Sequence, residues 1–498
     1  MSQSSTIKEI KPGEQTSDIA KVAGRGTIYI TAAKVWFMIS GYGIHFALPR
    51  LISKEEFGLY QVVVSAVSVI NAVVITGTYQ TVSKYISQEE EKADAVKSKA
   101  LRLQTLVGGG ASLGFFLLAP VVADFLNDPK LVNYLRLASL ITLSYSFYAV
   151  FTGYFNGRKR FLTQAAIDAT YSTLKLGFIV SLVWLGYGVA GGIGGFALAA
   201  ASVLVVSWIV AGKGNPKGDV RAGSLLKFQG YLLVFTFVLN LLQKVDLMLI
   251  KALSSPDATT ASRNAGDYSA AINIANLTYQ IIISVTFVIF PLVSEATFAN
   301  DGRRTQAYIS NTVRYSLMIM ALVATLFSAN ASEVMRIIYP LSYQTGSQAL
   351  AIVAYGMLLF GLFYVLTTII SASGRPEISL VFGFSTIAAS AALNALLIPS
   401  YGLTGAAIGT TASMLLGAFA SGIYILLKHG TLISVLSALR IAACAGLVYM
   451  ASIAYSSPSR VVTLIKLAFG FLIYMTALIL SRELGREDLA AVKKVLKP

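Results

Sequence analysis

From residue 26 onward the chain is a series of apolar runs about twenty residues long, separated by short polar turns. That length is what a helix needs to cross a hydrocarbon layer about 30 Å thick. A chain dissolved in lipid must satisfy its backbone hydrogen bonds internally, so repeated runs of this kind fold as helices. Fourteen such spans are predicted, at about 26–48, 57–78, 103–125, 137–155, 161–187, 193–211, 228–250, 268–293, 308–327, 349–370, 378–398, 405–427, 436–454 and 463–480. Charged residues make up only 12% of the sequence, where a soluble protein carries about a quarter. The fold class is therefore an all-α polytopic membrane protein.

The net charge of +16 does not point to nucleic acid, because no segment is long enough for a soluble domain that could bind it. Its distribution is topological. With the N-terminus on the cytoplasmic side, Lys and Arg are roughly threefold more frequent on that side than on the other, with clusters at Glu89–Arg102 and Arg158–Arg160. An even span count with both termini cytoplasmic, in the plasma membrane, follows. Residues 1–23 read as a cytoplasmic tail, not a signal peptide. Residues 482–498 read as an amphipathic helix on the inner leaflet, with Leu484, Leu489 and Val492 beside Lys493, Lys494 and Lys497. The single cysteine, Cys444, cannot form an intramolecular disulfide, and the two histidines, His45 and His429, are far apart. No metal centre is expected.

The sequence also repeats itself. "YGVAGGIG" from Tyr187 has a counterpart in "YGLTGAAIG" from Tyr401, and "YFNGRKRF" in "IISASGRPEI". "EEFGLYQ" with Gly58 and Tyr60 matches "NAGDYSA" with Gly266 and Tyr268, and "APVVADFL" from Ala119 matches "ASEVMRIIY" from Ala331. Four pairs, offset by 208 to 217 residues in the same order, indicate a duplicated six-helix bundle. Six spans separate the halves, so the repeats share orientation. The expected domains are an N-lobe at 24–212 holding spans one to six, a C-lobe at 213–430 holding spans seven to twelve, and spans thirteen and fourteen at 431–481. Two parallel bundles suit a transporter, in which one rocks against the other around a cavity.

Charges inside spans are costly and mark functional candidates. Lys175 lies near the middle of the fifth span, two helical turns after Asp168 and on the same face, with Tyr171 and Ser172 at the edge of that stripe. Its repeat counterpart falls near Ser390, which is uncharged. Lys34 lies about a third of the way into the first span. In "LLQKVDLMLIK" (Leu241–Lys251) the seventh span carries Lys244 and Asp246. Two residues apart on a continuous helix is about 200° of rotation, so these two are expected on opposite faces. Lys34, Lys175 and Lys244 are the candidates for a cavity that takes an anionic cargo, since fixed lysines replace the water and counterions a phosphate loses. Asp246, Asp168 and His45 are the candidates for coupling to an ion, Na+ or H+. Asp246 and His45 occupy equivalent positions in the two lobes. Arg50 and Lys251, also equivalent, are expected to snorkel to the outer interface.

With "LPRLISKEEFGLYQ", "TGTYQTVSKYIS" and "YFNGRKRF" in one half and "KVDLMLIK", "GDYSAA", "SEVMRIIY" and "YGLTGAAIG" in the other, the chain resembles the Wzx-type polysaccharide transporters over residues 20–480. These belong to the multidrug/oligosaccharidyl-lipid/polysaccharide (MOP) exporter superfamily. The resemblance implies a MATE-like fold of two six-helix bundles plus two C-terminal helices. It implies flipping of a polyprenyl-(pyro)phosphate-linked oligosaccharide from the inner to the outer leaflet by alternating access, with the first and seventh helices lining the cavity. Implied partners are that sugar-lipid, membrane lipids and the polysaccharide assembly machinery, the carrier itself being a monomer. A drug/cation antiporter of the same superfamily and a lipid II flippase remain open as alternatives. A glycosyltransferase or ligase would need catalytic carboxylates or histidines in a sizeable outer loop, and the longest, at 251–267, offers only Asp257 and Asp267. No G-x-x-x-x-G-K-[ST] motif for ATP is present.

Overall fold

The apolar runs are helices in the computed structural model, which describes residues 12–216, 223, 225, 234, 236–457, 459–485 and 488. Among the described residues there is no strand. In chain order the helices are α1 (Pro12–Leu51), α2 (Lys54–Gln88), α3 (Ala93–Phe125), α4 (Leu131–Gly157), α5 (Phe161–Leu182), α6 (Gly188–Ala211) and α7 (Val245–Leu253). They continue as α8 (Ala258–Ala275), α9 (Leu277–Phe298), α10 (Gly302–Ala329), α11 (Ala331–Ile338), α12 (Ser347–Ala372), α13 (Pro376–His429), α14 (Val435–Ile453) and α15 (Arg460–Leu480). Among the described residues nine helical stretches are long and apolar enough to cross a membrane. Two of these, Phe161–Ala211 and Pro376–His429, run to 51 and 54 residues and each hold two predicted spans.

Both long stretches bend at the repeat. Gly188 has φ 51° and ψ −134°, and Gly402 has φ 54° and ψ −129°. This conformation lies outside the regions open to L-residues with a side chain. Beyond each bend the chains approach closely. A Cβ on Gly195 would lie 2.7 Å from the backbone of Phe178 and Ile179, and one on Gly409 3.2 Å from that of Leu393. The pairing of "YGVAGGIG" with "YGLTGAAIG" thus describes one helix–bend–helix unit used twice.

Two predicted spans are interrupted. The seventh breaks in a turn at Gln243–Lys244, so only its outer part forms α7. The eighth breaks at Asn276, between α8 and α9.

The chain forms two compact units. The first comprises residues 1–47, 70–119 and 133–236; the second comprises 48–69, 120–132 and 237–498. This division cuts across the lobes read from the repeat, because 48–69 and 120–132 pack with the second unit.

In the first unit the end of α6 is fastened by a buried lysine. Lys97, on α3, donates to the Gly212 carbonyl at 3.0 Å and pairs with Asp94 at 3.2 Å. It satisfies a carbonyl that the end of a helix leaves without a partner. In the second unit α14 and α15 join the apolar core built by α9, α10, α12 and α13, through Ile441, Cys444, Val448, Tyr474 and Leu478. The Tyr474 hydroxyl donates to the Met318 carbonyl at 2.9 Å.

The chain after α15 does not begin as a leaflet-bound amphipathic helix. Glu483 is buried and accepts from Arg314 Nε at 2.7 Å, with Arg440 at 3.8 Å. Leu484 packs on the core of the second unit. Burial alone would raise the Asp488 carboxyl, but the Tyr315 hydroxyl, the Gly485 N–H and Arg314 outweigh it and hold the group below the usual carboxylate range. Leu489, Val492 and the terminal lysines lie outside the described residues, as do residues 1–11 of the N-terminal tail, whose remainder from Pro12 is already part of α1.

Candidate functional site

In the first unit the candidate stripe lies on α5. Asp168 and Lys175 share a face as the spacing requires, with Tyr171 between them. The Tyr148 hydroxyl donates to Asp168 Oδ1, and Asp168 feels the charge of Lys34. Lys34 itself is exposed on α1, and His45, further along α1, is half-buried with Tyr42 edge-on at 6.3 Å. Lys175 is half-buried. Its ammonium lies 4.0 Å from the centre of the Phe196 ring and 5.9 Å from that of Phe37. Among the described residues it makes no ion pair.

Aromatic rings from four helices surround this lysine. Tyr145 stands edge-on to Tyr171 at 5.2 Å and to Phe196 at 6.1 Å, and Phe37 stacks on Tyr171 at 6.3 Å. Trp36 Nε1 donates to Thr173 Oγ1 at 3.0 Å, tying α1 to α5. A cation over ring faces is held by their quadrupoles without being neutralised. Such contacts leave the N–H donors of the amine available to something else. The arrangement can bind an anion beside flat, partly polar surfaces. Sequence reading found Lys175 but not the rings, which are indistinguishable in sequence from ordinary packing aromatics.

The second unit holds a different cluster. Asp246 is 2% exposed. It accepts from the Tyr268 hydroxyl at 2.7 Å, the Leu247 N–H at 2.8 Å and Thr410 Oγ1 at 3.3 Å. Asn394, fully buried, donates to the Ser390 carbonyl at 2.8 Å and lies 3.4 Å from Thr410 Oγ1. Its own Oδ1 is buried and accepts no hydrogen bond among the described residues. An orphaned buried oxygen is expensive. Among the described residues no three His, Cys, Asp or Glu side chains form a metal site. The oxygens of Asp246 and Thr410 could hold a proton or a small hard cation; Asn394 presents its Nδ2 to Thr410 and would have to turn its amide to add Oδ1. Ser390, the repeat counterpart of Lys175, belongs to this cluster, so equivalent positions serve different chemistry in the two units.

The break at Lys244 overturns the reading of two opposed faces. Lys244 sits in the turn, not on a continuous helix, and its charge reaches Asp246. Lys251 does not snorkel. It is fully buried and pairs with Asp128 at 2.8 Å, while Arg50 donates to the Ile338 carbonyl at 2.7 Å.

A cavity of about 830 Å³ opens in the second unit between α10, α12, α13 and α14. Ile352, Leu358, Ile441, Ala445 and Met450 line it, with Tyr355 and Tyr449 among them. It is apolar and separate from the charges described above.

Helices kinked at repeat-equivalent glycines, with two terminal helices packed on the second unit, make a fold that is shared with solved membrane transporters. The lipid II flippase MurJ, in an inward closed conformation, superposes with a TM-score of 0.73 at 14% identity, over 92% of this chain and all of that one. An inward-facing multidrug resistance MATE family transporter of the MOP superfamily gives 0.64 at 15% identity, over 82% of this chain and 95% of the other. Residues 23–297, more than half of the chain, match the polysaccharide biosynthesis protein family, and the chain belongs to that family. A probable low-salt glycan biosynthesis flippase, Agl15 of Haloferax volcanii, is 23% identical over 48% of this chain and 52% of its own length. The family is thus that of polysaccharide biosynthesis proteins, and the fold is the one seen in a lipid II flippase and a MATE transporter.

Proposed function

We propose that this flippase moves a polyprenyl-(pyro)phosphate-linked oligosaccharide from the inner to the outer leaflet of the plasma membrane, with both termini cytoplasmic. The observation that carries the reading is Lys175, a charged ammonium held by Phe196 and Phe37 and left without a carboxylate among the described residues. A carrier of cationic drugs has no use for such a group, whereas a phosphate headgroup does. Lysine grips as a point charge and releases more readily than a bidentate arginine. Lys34 adds a second positive charge on the same unit, Lys244 is its candidate counterpart in the second, and the rings offer flat surfaces to sugar.

The isoprenoid chain has a place to lie in the apolar cavity of the second unit. The Asp246, Thr410 and Asn394 oxygens serve as the site of the coupling ion, Na+ or H+, with Asp168 as a further proton-accepting candidate in the first unit. The carrier works as a monomer beside the enzymes that build and extend the glycan.

A lipid II cargo presents the same pyrophosphate chemistry, and the MurJ-like fold keeps it as the second reading. The test is flipping in proteoliposomes containing either a short polyprenyl-pyrophosphate oligosaccharide or lipid II. The wild type should flip the former faster, and Lys175→Glu should be inactive while still inserted and monodisperse. Undiminished flipping by Lys175→Glu would overturn the headgroup assignment; preference for lipid II would select the second reading.

A further inference from the structure

Within the second unit, segments from the two repeats meet in a crossing that is symmetric under their exchange. Gly58 on α2 and Gly266 on α8 are repeat equivalents, 208 residues apart, as are Lys54 and Ser262. A Cβ on Gly266 would fall 2.6 Å from the Lys54 carbonyl oxygen, and one on Gly58 would fall closer still to the Ser262 carbonyl oxygen. Each glycine thus lies against the carbonyl four residues before the other. Only glycine lets two backbones approach so closely, and the contact has no interdigitated side chains to unlock.

Charges flank the crossing. Lys251, fully buried, donates to Asp128 Oδ2 at 2.8 Å, to Ser262 Oγ at 2.8 Å and to the Ala258 carbonyl at 2.9 Å. Lys54 pairs with Asp267 at 3.1 Å, and Asn127 Nδ2 donates to the Ala252 carbonyl at 3.0 Å. The Lys251–Asp128, Lys54–Asp267 and Asn127–Ala252 contacts each take one partner from segments 48–69 or 120–132 and the other from the second repeat.

From this we infer that Lys251 and Asp128, with the Gly58–Gly266 crossing, form a releasable latch that holds these outer ends closed and must part for cargo to leave on the outer side. The inference rests on the alternating-access reading with cytoplasmic termini. The bonds are arranged for release. If segment 120–132 departs, Lys251 keeps Ser262 and Ala258, and Asp128 keeps the Lys130 N–H, which it accepts at 3.1 Å. Asp267 likewise keeps the Thr345 hydroxyl at 2.6 Å. Each charge loses its counter-charge but keeps hydrogen-bond partners, so opening costs less than breaking a buried pair that has no others. Lys251 and Asp128 are positioning residues: they need not touch cargo.

The test needs no cargo. Cys444 is replaced by serine, and Ala265, buried at the crossing, becomes a reporter cysteine. Labelling by a membrane-impermeant maleimide is then timed from the outer side of proteoliposomes. Asp128→Asn and Lys251→Met should each speed labelling on the order of tenfold or more, because each leaves the other charge buried alone. The double variant strands no charge and should return toward the wild-type rate. Gly58→Ala should also speed labelling. Unchanged rates in both single variants, or single effects that simply add in the double, would overturn the latch. A wild type that flips no sugar-lipid would overturn the proposed function instead and leave the labelling result intact.

Discussion

Gly188 and Gly402, 214 residues apart, hold the same backbone conformation, φ 51° and ψ −134° in one and φ 54° and ψ −129° in the other. Each follows a tyrosine and starts a helix that closes onto the one before it. The likeness is a property of the fold rather than of one unit, because the same glycine-dependent bend recurs where the sequence repeats. No atom lies within 4 Å of a Cβ built on Gly402, so its substitution isolates conformation from packing. Gly402→Ala should cost about 1–3 kcal/mol, through backbone strain alone. Thermal unfolding in detergent should show a lowered Tm, and an unchanged Tm would mean that the bend relaxes freely.

The ring faces around Lys175 carry their own prediction. Phe196→Leu keeps apolar volume but removes the ring 4.0 Å from the ammonium. A cation–π contact of about 0.5–2 kcal/mol is lost, so headgroup affinity should fall severalfold while Tm changes little. Titration of flipping rate against cargo concentration separates the two. Phe37, at 5.9 Å, should matter less.

Much of this was legible in the sequence because lipid imposes length and periodicity on every span. The repeat was legible because its bends need glycine at fixed positions. The intramembrane charges Lys175 and Asp246 announced themselves by their cost. Lys251 was misread because its partner, Asp128, is 123 residues away, and nothing local distinguishes a buried terminal lysine from a snorkelling one. Lys466, inside the last helix, pairs with Glu333 at 3.3 Å for the same unreadable reason. Asn394 and Thr410 were missed because uncharged polar residues in spans are common and carry no electrostatic signature. The break at Lys244 has neither glycine nor proline to mark it.

The tether after α15 predicts a stability effect far from the transport path. Glu483 is almost fully buried and Arg314 is 22% exposed, so their pairing is screened only on one side. Arg314→Ala should lower stability by about 2 kcal/mol, since it leaves a buried carboxylate with the Ser437 hydroxyl and, as its only positive charge among the described residues, the more distant Arg440. Asp488, whose carboxyl is held below the usual range, supports the same tether. Its contribution is full above the ordinary carboxylate range and is lost as pH falls through the depressed folded-state value. Scans of Tm between pH 7 and about pH 3 should therefore show the wild-type advantage over Asp488→Asn shrinking on acidification. A constant difference across that range would exclude the ionic tether.

Asp246 gives the sharpest test of coupling. Its carboxylate accepts three hydrogen bonds, yet the Oδ1 of Asn394, a residue linked to it through Thr410, accepts none among the described residues. With the Asn394 amide turned so that Oδ1 in place of Nδ2 faces Thr410, a bound cation would satisfy both oxygens at once, whereas a proton on Asp246 would satisfy only the carboxylate. Asp246→Asn should therefore abolish any dependence of flipping on the Na+ gradient, with residual downhill flux surviving. Asn394→Ala removes the orphaned oxygen but leaves the carboxylate able to take a proton. If Na+ is the coupling ion, Asn394→Ala should raise the Na+ concentration for half-maximal flipping about tenfold or more, one charge–dipole ligand having been lost. If a proton is the coupling ion, Asn394→Ala should leave the pH profile in place and Asp246→Asn should flatten it. Flipping by Asp246→Asn that still follows both gradients would remove this cluster from the coupling mechanism and return the role to Asp168.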